Sequence, residues 1–204
     1  MWELFEKGGF IMYPILASSI LALAVIVERM IILAKTKIPK EDEIQEICRR
    51  VKEDSDCKIS ELIEEKDTPV HRVINSVWRT DGDEHAREKS AGIAGDLVLR
   101  NLNKRLQWLA ILGSLVPLMG LLGTVIGMIK VFSNVAKAGD VSDISMLAGG
   151  IWEALLTTAA GMSVAIPILL VYHWLSGKVD NIAFEMAHYG EEFIAAVRER
   201  DNRR

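Results

Sequence analysis

The chain has 204 residues, half of them apolar and 25% charged, with a formal net charge of -4. That balance supplies no basic face for nucleic acid, and five prolines with no low-complexity tract exclude a disordered chain. Charge and apolarity are segregated as no soluble domain requires: residues 10–27, 106–129 and 154–177 contain no Asp, Glu, Lys or Arg.

Each uncharged stretch can cross roughly 30 Å of hydrocarbon at about 1.5 Å per residue. The sequence therefore predicts an all-α, polytopic membrane protein with three transmembrane helices, two of them extended far into the cytoplasm. Residues 1–9 hold Glu3, Glu6 and Lys7, without the basic segment and small-residue cleavage site of a secretory signal. The first apolar stretch is therefore expected to stay as a membrane helix, residues 10–34, and its composition suits a peripheral anchor.

Residues 28–105 hold 16 of the 24 lysines and arginines, which keeps the loop 35–105 on the cytoplasmic side. The amino terminus and the short loop 131–143 then fall outside, and the tail 178–204 inside. Helical spacing recurs through the loop at Ile44, Ile47 and Val51, at Ile59, Leu62 and Ile63, and from Val70 to Trp78 after Thr68-Pro69. The loop is too polar to hide a globular core of its own. From Asp83 an apolar line through Ile93, Leu97, Leu102, Leu106 and Leu109 predicts one continuous helix running into the second span, 106–130. Ile182, Met186, Tyr189, Phe193 and Val197 extend the third span, 144–177, into the tail. These stripes fit either packing within the chain or a neighbouring subunit.

The second span gathers Gly113, Pro117, Gly120, Thr124 and Gly127 at spacings of 4, 3, 4 and 3, and the third repeats the device with Ala154, Thr158, Gly161 and Ala165. Small faces permit close helix packing; dotted with hydroxyls, they also suit the lining of a cavity. Ser142 or Asp143 is placed to cap a helix that begins at Ile144, which would carry Glu153 roughly 14 Å along it. A carboxyl at such depth costs about 2.5 kcal/mol or more, so it faces the bundle interior and marks an ion path. The alternative is an interfacial glutamate paired with Lys130. Cys48 and Cys57 lie in the loop on the reducing side and read as small residues without a disulfide. The four histidines have no metal-ligand spacing, and no nucleophile elbow, phosphate loop or HExxH is present. No enzyme, metal or cofactor is expected.

Two segments carry a resemblance: Pro117-Leu-Met-Gly-Leu-Leu-Gly-Thr-Val-Ile-Gly-Met128 and Gly150-Ile-Trp-Glu-Ala-Leu-Leu-Thr-Thr-Ala-Ala-Gly-Met-Ser-Val-Ala-Ile-Pro167. Together with Gly9-Phe-Ile-Met-Tyr-Pro-Ile-Leu16 and Val27-Glu-Arg-Met30 they resemble the ExbB/TolQ branch of the MotA/TolQ/ExbB proton channel family. The MotA branch, with four spans, fits less well. The resemblance implies a homo-oligomeric, usually pentameric ring in the bacterial inner membrane. Its pore would hold single-span helices of an ExbD/TolR-like partner, with a TonB- or TolA-like protein as a further partner. It also implies that ion flow, normally of protons, is converted into mechanical work on the envelope. Thr124, Glu153 and Thr158 match the family's pore threonines and glutamate, whereas its essential aspartate belongs to the partner. A non-conducting oligomeric scaffold is the rival reading. A small-solute channel would need polar lining along whole spans, which are absent.

Overall fold

The computed structural model describes residues 8–53, 66–138 and 144–203. Among them there is no strand, and six helices follow one another: α1 (Met12–Lys35), α2 (Glu41–Lys52), α3 (Pro69–Trp78), α4 (Glu84–Asn103), α5 (Leu106–Ala138) and α6 (Ile144–Asp201). Helices α1, α5 and α6 are each long and apolar enough to cross a membrane. In hydrocarbon a backbone must satisfy its own polar groups, so helix is the only form these segments can take without closing a barrel. Pro117 and Pro167 both lie inside their helices. From Ile144 onward the described residues of the third span are helical, while the cap expected at Ser142 or Asp143 and the periodicity at Ile59, Leu62 and Ile63 lie outside the described residues.

Contacts divide the chain into two units, Met1–Arg29 with Arg105–Trp174 and Met30–Lys104 with Leu175–Arg204. The first is the membrane unit. Its small core is Ile15 of α1, Val116 of α5 and Ala165 of α6, joined by the partly buried Ile11, Met119 and Val164. Many large side chains stay outward, among them Ile20, Leu23, Leu118, Leu121, Leu155 and Leu170, each at least half exposed. Apolar surface of this kind is stable only against lipid or another subunit.

In the second unit the loop helices find their core in the carboxy-terminal part of the chain. Ile44, Ile47 and Val51 of α2, and Val70, Val73, Ile74 and Val77 of α3, are buried. So are Val179, Ile182, Met186, Tyr189, Phe193 and Val197 of α6. The tail stripe is thus consumed by packing within the chain. Trp78 meets Phe193 edge-on with ring centroids 6.3 Å apart, and the Arg200 guanidinium lies 4.7 Å above the Trp78 ring. Ion pairs tie down the rim: Lys52–Glu199 at 2.8 Å, Arg87–Asp201 at 2.7 Å and Glu84–Arg198 at 2.7 Å.

Local signals start these helices. Thr68 caps α3 by accepting from the His71 backbone N–H at 3.3 Å, with Pro69 in the first turn, and Asp83 caps α4 by accepting from the Ala86 N–H at 2.9 Å. A hydroxyl cluster then staples α3 to α4, with Ser76 and Ser90 Oγ atoms 2.5 Å apart and Thr80 donating to Ser90 at 2.9 Å.

One expectation is corrected. The helix foreseen from Asp83 into the second span is two helices, because Lys104 and Arg105 form a turn between α4 and α5. Asn101 and Asn103 are weak helix formers, and Arg105 in the turn is ion-paired with Glu28 of α1. The apolar line divides accordingly: Leu102, Leu106 and Leu109 are buried, whereas Ile93 and Leu97 stay more than half exposed. A second difference lies at the far end of α5, which stays helical through 131–138, residues expected in the short loop.

Cys48 of α2 is buried, and burial with the nearby Glu192 carboxylate pushes its thiol up to about 12. A thiol so shifted stays protonated and unreactive. Alkylation by iodoacetamide at pH 8 should therefore leave Cys48 unmodified in the folded protein and modify it only after denaturation, as peptide mass spectrometry would record. Cys57 lies outside the described residues.

Candidate functional site

All the candidate site residues fall in the membrane unit, and most of them meet at one helix pair. At Gly120 of α5 an added Cβ would come within 2.9 Å of the Thr157 carbonyl oxygen and 3.0 Å of Thr158 Cα. At Gly161 of α6 it would meet the Val116 carbonyl oxygen at 2.9 Å and Gly120 Cα at 3.1 Å. The two backbones are in contact here, and only glycine fits on each side. Below and above this crossing, Gly113 faces Leu169 at 2.5 Å and Gly127 faces the Ala154 methyl at 2.8 Å, measured from the Cβ each would carry. Ala154 and Ala165 are both 2% exposed. Gly113, Gly120, Gly127, Ala154 and Gly161 therefore form the seam between α5 and α6, with Pro117 half-buried beside it.

The hydroxyls of α6 are bonded into that seam. Thr158 donates to the Gly120 carbonyl at 3.0 Å. Thr157, 2% exposed, donates to the Ala154 carbonyl at 2.7 Å, with the Gly120 carbonyl also 3.3 Å away. Interhelical hydroxyl bonds of this kind contribute about 0.6 kcal/mol each on average in membranes. One residue of the seam, Gly123, did not stand out in the sequence. A Cβ on Gly123 would overlap the Thr157 hydroxyl. The signal was there, since Gly123 lies three residues after Gly120 and four before Gly127, but spacing alone cannot choose between it and Thr124.

Thr124 is placed elsewhere. It is half-buried, donates to the Leu121 carbonyl of its own helix at 2.6 Å, and lines an open cleft with Val125, Met128, Ile129 and Phe132. Glu153 is half-buried on α6, nine residues after Ile144. Its carboxylate lies against Gly9, whose φ of +67° belongs to the left-handed region, and an added Cβ on Gly9 would overlap Glu153 Oε1. The glutamate is thus positioned by the turn leading into α1. No pairing with Lys130 occurs among the described residues.

Three apolar helices, a tight glycine seam and a half-buried carboxylate define a polytopic α-helical membrane protein whose second and third spans are built for close helix contact. The particular family follows from comparison with known sequences: the chain belongs to the MotA/TolQ/ExbB proton channel family, whose model matches residues 65–188. It falls in the ExbB/TolQ branch. The ExbB-like 1 protein of Synechocystis is 31% identical over 202 residues, covering 96% of this chain and 78% of that protein. Biopolymer transport protein exbB1 of Vibrio cholerae is 27% identical over 190 residues, covering 91% and 83%. Tol-Pal system protein TolQ of Haemophilus influenzae is 33% identical over 109 residues, 53% of this chain and 47% of that protein.

Proposed function

We propose that the chain is the proton-conducting motor subunit of a biopolymer transport system in a bacterial inner membrane, with its amino terminus periplasmic and its loop and tail cytoplasmic. It assembles as a ring, pentameric in the form the family resemblance implies. Single-span ExbD/TolR-like helices occupy the centre, and the ring does work on a TonB- or TolA-like protein. The observation that carries this reading is the position of Glu153. Its carboxylate, roughly 14 Å along α6 from Ile144, is held against the Gly9 backbone, within the segment that the proton channel family model matches.

An ionisable side chain at that depth is costly and is retained where ions pass. Thr124 and Thr158 are the accompanying hydroxyls. Thr124 opens on a cleft outside the α5–α6 seam, a place where a neighbouring helix can reach it. The conducting aspartate comes from the partner, so this chain supplies the wall and the partner the moving charge. One charge crossing 100 mV releases about 2.3 kcal/mol, so a few ions per step suffice for a mechanical change.

Co-expression with a single-span protein bearing a membrane aspartate tests the assembly. The two should co-purify as a ring in which imaging resolves central helices. A solid centre, or a ring that never retains the single-span protein, would refute it. The scaffold reading rests on one observation: the hydroxyls of Thr157 and Thr158 are already bonded to backbone carbonyls. It predicts a ring that is impermeable to protons.

A further inference from the structure

We propose that a basic pocket in the second unit, where the first span ends, binds the headgroup of an anionic phospholipid. The pocket has a volume of about 960 Å³ and lies among the end of α1, the segment leading to α2, the start of α3 and the end of α4. Lys35, Lys37, Lys40, Lys66 and Arg72 converge on it from separate stretches of chain, against two acids, Glu43 and Asp67.

Both acids are already engaged. Asp67 receives two bonds from Arg72, at 2.6 and 2.8 Å, and the guanidinium holds its carboxyl below the usual range. Glu43 takes the Lys66 ammonium at 2.9 Å and faces His71 Nε2 at 3.3 Å. Lys35, Lys37 and Lys40 are exposed, and among the described residues no acid lies within ion-pair distance of them. Three ammonium groups without an acidic partner among the described residues, beside two acids that are already engaged, point to an anionic ligand.

The rest of the wall says which kind. Ile32, Ile38, Val98 and Leu102 also line the pocket. Val98 and Leu102 are buried, while Ile32 belongs to the apolar span that ends at Lys35. A free phosphate has no use for an apolar wall. A phospholipid has both halves: a phosphate to accept from the lysines, and glycerol and upper acyl carbons to lie along Ile32 and Leu102. The end of an apolar span is also the depth at which a bilayer presents its phosphates. Basic pockets at that level favour anionic headgroups, with each lysine worth roughly fivefold in affinity.

The test is native mass spectrometry of the purified full-length protein in detergent, titrated with phosphatidylglycerol, phosphatidylcholine or soluble glycerophosphoglycerol. Retention of phosphatidylglycerol over phosphatidylcholine is expected. K35Q/K37Q/K40Q should weaken it by on the order of a hundredfold, fivefold per lysine, while K35R/K37R/K40R keeps it. The single variant K37Q, expected to lose about fivefold, reads the same effect should the triple variant misfold. Undiminished phosphatidylglycerol binding by the glutamine variants would overturn the proposal. So would equal retention of phosphatidylcholine, or displacement of the lipid by an equal concentration of the soluble headgroup. The readout needs neither ion flow nor a partner, so it stands or falls separately from the motor reading.

Discussion

Gly161→Val is expected to disassemble the membrane unit, with loss of monodisperse protein in size-exclusion chromatography. The atoms a new Cβ would meet, the Val116 carbonyl oxygen at 2.9 Å and Gly120 Cα at 3.1 Å, are backbone and cannot rotate aside. Overpacking a well-fitted core costs about 1–3 kcal/mol and occasionally more. Here it also separates Thr157 and Thr158 from the Gly120 carbonyl. Gly120→Val should behave the same way from the other side of the seam. Gly177→Ala is the control: nothing lies within 4 Å of its added Cβ, and alanine gains up to about 1 kcal/mol over glycine in a helix. Loss of protein in both Gly161→Val and Gly177→Ala would mean that the seam is not what the first variant breaks.

The second large effect concerns Glu153. Glu153→Gln keeps the shape that rests against Gly9 and removes the charge, so the complex with its single-span partner should still assemble. Proton uptake by proteoliposomes under an imposed potential should nevertheless fall by on the order of tenfold or more, a barrier increase of about 1.4 kcal/mol or more. Gly9→Ala provides an independent route to the same result. It forces an alanine into the left-handed region, at roughly 1–2 kcal/mol, and puts a methyl where Glu153 Oε1 now lies. If Glu153→Gln conducts normally while Gly9→Ala does not, the carboxyl matters for packing and not for ions.

Much of this was legible in the sequence because it is written in local periodicity. The three spans, the helices that start at Thr68-Pro69 and from Asp83, and the tail stripe from Ile182 to Val197 each depend on residues within a few turns of one another. What escaped depends on helix phase or on distant partners. Spacing put Thr124 on the small face, yet the seam is turned toward Val116 and Gly123, because α6 presents Thr157 and Gly161 there. Small-residue spacing defines a stripe but not which edge of it a neighbour will choose. The turn at Lys104 and Arg105 goes with an ion pair to Glu28, 77 positions away. The tie of Gly9 to Glu153 is a tertiary contact that no local pattern encodes. The loop read alone suggested no core, and its buried residues belong to a unit that also contains the tail stripe.

The most direct test of the account is proton flux through proteoliposomes carrying the chain together with its single-span partner, driven by a potassium diffusion potential and read by an internal pH dye. Uptake should require both proteins, rise with the imposed voltage and fail when the partner's membrane aspartate is replaced by asparagine. A sealed membrane from a fully assembled wild-type complex, at every voltage applied, would contradict it.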